Sequence, residues 1–169
     1  MRRALALLLF ASALTGCGKS DVPHRAWVTS VCQALGPWRA ELTALNSKAA
    51  EQMKTATTPA QARGHLLGLL DGARQASDQA RAKVAKAGVP DVADGAAIEQ
   101  RFVGALTAVR DAYAKAQHNV QALPEADFYP GVAAAMDTLN HEYAQAGVDT
   151  ARLASADLRK DFDEVPACG

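Results

Sequence analysis

Residues 98–120 read IEQRFVGALTAVRDAYAKAQHNV. The large apolar side chains in this stretch recur every third or fourth residue, which is the spacing of one face of an α-helix. They are Ile98, Phe102, Leu106, Val109, Tyr113 and Val120, and Ala116 fills the one gap. Alanine is the commonest residue of the chain, which favours helix, and no extended alternation typical of a β-strand occurs. The sequence therefore predicts an all-α protein.

An earlier segment has the same spacing. Its apolar positions are Trp27, Val31, Leu35, Trp38, Leu42 and Leu45. This series keeps its helical phase through Gly36 and Pro37, where a helix would otherwise be expected to break. We therefore predict one kinked helix here and not two helices.

Proline, glycine and capping residues set the limits of the next two helices. Thr58 precedes Pro59 in the pattern of an N-cap followed by proline at the first helical position. We expect the helix that follows to run to about residue 87 and to stop at Gly88. The helix of the quoted stretch begins near Asp91 or Asp94 and ends before the next proline, at residue 124.

A fourth helix follows, with Asp127 as its cap, Pro130 in its first turn and its end at Gly147. Its apolar stripe is predicted to consist of Tyr129, Val132, Met136, Leu139 and Tyr143. The period is lost after that point. We interpret residues 148–154 as a connector and Ser155 as the cap of a short last helix.

Four long helices joined by short links pack antiparallel. The fold class predicted is therefore an up-and-down four-helix bundle with a short extra C-terminal helix. Helices of about 28 residues at 1.5 Å per residue would give a rod of roughly 40 Å.

The N-terminus has the pattern of an export signal. Two arginines precede an apolar run of roughly 11 residues, which is too short to span a bilayer as a helix. The run ends in Leu14-Thr15-Gly16-Cys17, which resembles the lipobox of bacterial lipoproteins. The resemblance implies cleavage before Cys17 and a diacylglyceryl group on its sulfur. We therefore divide the chain into a signal peptide (1–16), a lipidated tether (17–25) and a helical domain (26–169).

Two further cysteines, Cys32 and Cys168, lie near opposite ends of the exported chain. They lack the Cys-x-x-Cys or Cys/His spacing of a zinc or redox site, so we predict a disulfide between them. The antiparallel topology independently brings the two positions to the same end of the bundle. The enclosed loop of roughly 135 residues corresponds to at most about 5 kcal/mol of stabilisation.

No pattern of reactive groups indicates catalysis. The 18 basic and 18 acidic side chains balance without a basic run, which excludes a typical nucleic-acid binder. The Glu-x-x-His pairs of a di-iron bundle are absent. We assign His24 to the tether and expect His65, His118 and His141 on the surface. The sequence thus predicts no enzyme, no cofactor and no metal site.

One local feature is unusual. Gly64, Gly68 and Gly72 recur every fourth residue within the second predicted helix, beside Leu67 and other leucines. Each glycine costs up to about 1 kcal/mol relative to alanine in a helix. One interpretation is a glycine face that lets a neighbouring helix come close. The alternative is a groove in which an apolar ligand or a partner helix binds.

Several short motifs resemble a family of small secreted lipoproteins of high-GC actinobacteria. They are Val31-Cys32 with Pro37-Trp38, Thr58-Pro59 followed by Leu66-Leu67, Ala87-Gly88-Val89-Pro90, and the tail from Asp161 to Cys168. The similarity extends over most of the exported chain. It implies a location on the outer face of the membrane and brings no catalytic residues.

Two functions follow as hypotheses. The first is a lipid-anchored binding or interaction protein without catalytic activity, held on the outer face of the cell membrane by Cys17. Its partner would be a membrane protein, an envelope component or a lipid. The alternative is a carrier that holds a small apolar ligand between its helices.

Overall fold

The computed structural model describes residues 21–168. The predicted signal peptide (1–16) and Cys17 lie outside this range. Six α-helices dominate the described residues, which confirms the predicted all-α bundle. The elements are β1 (Asp21–Val22), α1 (His24–Thr55), α2 (Pro59–Lys86), β2 (Val89–Pro90), α3 (Gly95–Ala122), α4 (Phe128–Ala146), α5 (Thr150–Leu153), α6 (Ala156–Glu164) and a terminal 3₁₀ turn (Pro166–Cys168). Within residues 21–168, no helix has the length and apolar character needed to cross a bilayer.

The ends of the helices follow the local sequence. The Thr58 hydroxyl accepts a hydrogen bond from the backbone N–H of Gln61 at 3.2 Å, so Thr58 caps α2 as predicted. The Ser155 hydroxyl caps α6 in the same way. Gly88 and Gly147, which follow α2 and α4, have φ angles of 83° and 61°. Glycine adopts this left-handed conformation without the steric cost of a Cβ atom.

The first long helix is continuous, as the phase of its apolar stripe predicts. Pro37 lies inside α1, which runs for 32 residues. The stripe positions on either side of it, Leu35 and Trp38, are both buried. Burial of this face on both sides of the proline explains why one helix forms despite the missing backbone hydrogen bond.

Neighbouring helices run antiparallel. As residue numbers rise in α1 they fall in α2, so that Trp38 Nε1 donates to the Ser77 hydroxyl at 3.1 Å and Leu45 lies against Gly72 further along. Helix α2 packs on α1 and α3, and α4 packs on α3. Helices α1 and α4 barely touch each other directly. We call the boundary between two neighbouring helices a seam. Three seams of the bundle are closed by packing, and the seam between α1 and α4 is open.

The C-terminal segment closes one end of that open seam. Helix α6 and the 3₁₀ turn pack on α1, and α5 packs on α3. Cys168 lies beside Cys32 with a Cα–Cα distance of 4.9 Å, which is the predicted disulfide pair. Nearby, His24 Nδ1 contacts a carboxylate oxygen of the buried Asp161. The chain end is thus fixed to the N-terminal half of α1.

An aromatic cluster fills the core at this end. The Trp27 and Phe102 rings meet edge to face with centroids 5.4 Å apart. Phe162 of α6 stacks on Phe102 at 5.9 Å. The Trp27 indole N–H donates to the carbonyl of Gly88 at 2.9 Å, so the one polar atom of this buried ring is satisfied.

The structured region begins earlier than the sequence indicates. Residues 21–25, which we assigned to the tether, form β1 and the first turn of α1. β1 pairs in parallel with β2, and the Asp91 N–H donates to the carbonyl of Val22 at 2.8 Å. His24 accordingly belongs to the folded unit. Two-residue strands have no periodicity, which is why the sequence pattern does not reveal them.

Helix α4 lies between Asp127 and Gly147 as predicted, and it differs from its prediction only in its first turn. It has 19 residues, so it is shorter than α1, α2 and α3, which have 32, 28 and 28 residues. Tyr129, predicted on the buried stripe, is 57% exposed, and its neighbour Phe128 is buried instead. Val132, Met136, Leu139 and Tyr143 face the core as predicted, so the difference is confined to the first turn. The Arg63 guanidinium lies 5.2 Å from the centre of the Phe128 ring. Asp127 precedes the helix but forms no side-chain capping bond.

Candidate functional site

The titratable and sulfur-containing side chains do not assemble into a metal centre. Across residues 21–168, no three His, Cys, Asp or Glu side chains come together in a way that could hold a metal ion. His118 and His141 are exposed, and the His141 ring contacts the side chain of Gln145. His65 is half-buried and borders a shallow cavity between α1 and α2. Candidate binding sites therefore lie in the grooves between helices.

The three recurring glycines do not share one environment. A Cβ atom built on Gly72 would lie 2.8 Å from a methyl group of Leu45, so the close-packing interpretation applies there. At Gly64 and Gly68 such an atom would have no neighbour within 4 Å. The close-packing interpretation is therefore wrong at these two positions.

Gly64 and Gly68 instead border the cavity of about 140 Å³ between α1 and α2. Gly72 borders a separate cavity of about 260 Å³ on the same seam, next to Pro37 and Trp38. Leu67 lines neither cavity and packs against the core. The structure thus divides the predicted glycine groove into two shallow surface depressions.

A larger apolar groove lies in the open seam between α1 and α4, and we call it the α1–α4 groove. Its volume is about 400 Å³, within the range typical of small-molecule sites. Its buried floor consists of Leu42, Leu70, Tyr113 and Leu139, and Leu69, Met136 and Tyr143 are half-buried in its walls. All four long helices contribute to it.

Polar side chains line the exposed rim of the groove. Thr43 Oγ1 donates to the carbonyl of Arg39 at 3.0 Å, and Asn46 Nδ2 donates to the carbonyl of Leu42 at 2.9 Å. The Thr43 hydroxyl hydrogen and one of the two Asn46 amide hydrogens are thus used within α1 itself. The Arg39 guanidinium and the Asn140 amide complete the rim. Arg39 is the one charged side chain in the lining of the groove, and the lining contains no carboxylate.

Two tyrosines form the aromatic wall. The Tyr113 and Tyr143 rings meet edge to face with centroids 6.3 Å apart. Burial, with a smaller contribution from the neighbouring Tyr143, raises the pKa of Tyr113 to about 12. Burial also raises the pKa of Tyr143, and the positive charge of Arg39 partly opposes that effect. Both phenols are therefore neutral hydrogen-bond donors at physiological pH.

A second cavity of about 410 Å³ adjoins the groove at the disulfide end. Its lining includes Leu35, Phe162 and Asp163 as well as both cysteines. Arg39 lines both this cavity and the α1–α4 groove, so the two adjoin at this residue.

The α1–α4 groove was not predicted from the sequence. Leu42, Leu139 and Tyr143 were correctly placed on apolar stripes, but the groove predicted from the sequence was at Gly64, Gly68 and Gly72 and not between α1 and α4. One signal was available, because the apolar stripe of α4 spans fewer residues than those of α1 and α3. A shorter fourth helix cannot cover the full length of its neighbours. Comparison of the chain with protein-family models, with curated proteins and with solved structures found no match.

Proposed function

We propose that this protein is a lipid-anchored binding protein on the outer face of the cell membrane, without catalytic activity. The proposed lipid anchor rests on the sequence Leu14-Thr15-Gly16-Cys17, which ends the apolar N-terminal run. The pairing of Cys32 with Cys168 supports an oxidising location, because structural disulfides persist mainly outside the cytosol. The motif similarity to secreted actinobacterial lipoproteins supports the same location.

The short distance along the chain between Cys17 and β1 limits how far the bundle can lie from the membrane. Cys17 is four residues from Asp21, the first residue of β1. A fully extended chain of that length reaches at most about 14 Å. A diacylglyceryl group on Cys17 would therefore hold the β1 end of the bundle next to the lipid headgroups. Two acyl chains suffice for stable anchoring where one is marginal.

Intact mass spectrometry of the membrane-extracted protein tests the anchor. We expect a chain that starts at Cys17 and carries the added mass of a diacylglyceryl group. The matched control is Cys17→Ser, which removes the acylated sulfur and should leave the protein without this mass and with its signal peptide attached. A wild-type protein that starts at Met1 and has no added mass would refute the proposal.

The second candidate function is a carrier for a small apolar ligand, and the α1–α4 groove favours it. The groove combines an apolar floor with a polar rim, which is the usual composition of a small-molecule site. Native mass spectrometry of gently purified protein separates the two functions. A reproducible bound mass of a small molecule supports the carrier. Bare protein with a co-purifying macromolecular partner supports the interaction protein alone.

A further inference from the structure

The lining of the α1–α4 groove contains one arginine and no acidic residue. The structure describes nine arginines, and seven of them contact a carboxylate, a backbone carbonyl or both. The side chains of Arg39 and Arg152 form no hydrogen bond or ion pair within residues 21–168. Arg39 lies at the rim of the groove, whereas Arg152 lies on α5 and outside its lining. The groove lining therefore has one positive charge and no carboxylate, and the Asp163 carboxylate of the adjoining cavity forms no ion pair with Arg39.

The floor restricts the chemistry of whatever lies on it. Leu42, Leu70 and Leu139 offer no polar side-chain atom, so the Tyr113 hydroxyl is the one polar side-chain group of the floor. On the rim, the Thr43 hydroxyl and one N–H of the Asn46 amide donate to backbone carbonyls. A polar group placed over the three leucines would lose its hydrogen bonds to water without replacement, which is costly. The body of a ligand must therefore be apolar.

The rim selects the opposite chemistry. A guanidinium group binds carboxylate and phosphate groups through paired, charge-assisted hydrogen bonds. The neutral phenol of Tyr143, close enough to Arg39 for its pKa to be affected, can add a further donor. An anionic group at this position would face no carboxylate of the groove lining.

The volume limits the size of the ligand. A groove of about 400 Å³ lies near the lower end of the range for drug-sized ligands. It therefore suits one alkyl chain better than the paired chains of a membrane phospholipid. Met136, with its flexible thioether side chain, can adapt the wall to chains of different shape.

We propose that the α1–α4 groove binds a single-chain anionic amphiphile, with the alkyl chain on the leucine floor and the anionic head on Arg39. The proposal rests on the carrier function and specifies its ligand class. It does not require that the protein be acylated, so it can fail or succeed independently of the anchor at Cys17.

Photo-crosslinking tests the proposal on the full chain. The probes are a 12-carbon carboxylate and a 12-carbon alkyl phosphate, each with a diazirine at the end of the chain, and the neutral alcohol of the same length. The protein is held in phosphatidylcholine nanodiscs, or in buffer if the intact mass shows no acylation. We expect both anionic probes to label the peptides that contain Leu42 and Leu139.

Two variants and one control separate charge recognition from nonspecific apolar contact. Arg39→Gln should lower labelling by the anionic probes about tenfold, which corresponds to one charge-assisted hydrogen bond, and leave labelling by the alcohol unchanged. Arg152→Gln removes the same charge from an arginine outside the groove and should change neither. Asn140→Trp should cover the exposed rim and lower labelling by all three probes.

Each other outcome overturns the proposal. Equal groove labelling by the alcohol and the anionic probes would refute recognition of charge. Labelling spread over the other helix seams would refute the groove as the site. An Arg152→Gln effect as large as that of Arg39→Gln would show that net charge, and not this guanidinium, attracts the probes. The circular dichroism spectrum of each variant verifies that it is folded.

Discussion

The three glycines of α2 permit a test in which one substitution is made in three environments. Replacing glycine by alanine inside a helix stabilises it by about 0.8–1 kcal/mol. At Gly64 and Gly68 the new methyl group would have no neighbour within 4 Å, so the full gain should be realised. At Gly72 it would lie 2.8 Å from one methyl carbon of Leu45 and 3.1 Å from the other. Overpacking of this kind costs about 1–3 kcal/mol.

We therefore expect Gly64→Ala and Gly68→Ala each to raise the free energy of unfolding by about 1 kcal/mol. Gly72→Ala should give no gain, or a loss of up to about 2 kcal/mol, as Leu45 is displaced. Urea unfolding followed by circular dichroism measures all three, with an unchanged m-value as the criterion of a common unfolded state.

Larger side chains extend the same test. Gly68→Leu should leave the bundle folded, because the side chain would project into the depression between α1 and α2. Gly72→Leu should be clearly less stable than Gly72→Ala. Equal stabilisation by alanine at all three positions would refute the assigned contact with Leu45. A loss of stability on Gly68→Ala would refute the open environment at that site.

Three further predictions concern the core and the chain ends. Replacing Cys32 and Cys168 by alanine should lower the free energy of unfolding by about 3–5 kcal/mol, measured by urea unfolding, and reductant should then have no further effect. Because Tyr113 keeps its proton to about pH 12 in the folded state and an exposed phenol loses it near pH 10, stability should fall between these values. Tyr113→Phe should reduce that fall in the free energy of unfolding by at most about 3 kcal/mol. If the free energy of unfolding of the variant fell with pH as steeply as that of the wild type, the raised pKa of Tyr113 would be contradicted. Trp27→Phe should lower the free energy of unfolding, measured by thermal unfolding, by about 1–3 kcal/mol, because the Gly88 carbonyl loses its hydrogen-bond donor.

The helices could be predicted because their signals are local. Apolar residues at spacings of three and four define the buried faces of α1 and α3, and Thr58 and Gly147 mark helix ends through their own backbone preferences. Such features depend on a few neighbouring residues. The pairing of Cys32 with Cys168 required one further step, the antiparallel topology, which also follows from short connections.

The α1–α4 groove could not be predicted in this way because it depends on how distant elements fit together. Its existence follows from how the short α4 lies relative to α1 and from the docking of α6 on α1, and both depend on contacts between distant segments. The exchange of Tyr129 for Phe128 on the buried face has a similar origin. The apolar periodicity is compatible with either residue on the buried face. In the structure Phe128 is the buried residue, and its ring contacts Arg63 of α2.

The position of the disulfide determines how the molecule responds to mechanical load. When the two ends of the folded region are pulled apart, the covalent path runs from Asp21 to Cys32 and then directly to Cys168. Extension is therefore limited to about 40 Å of chain. In the reduced protein the intervening sequence separation of 136 residues also becomes extensible, which adds about 470 Å. Oxidation thus shields most of the bundle from tension between the two chain ends, and the first turns of α1 are the part that yields.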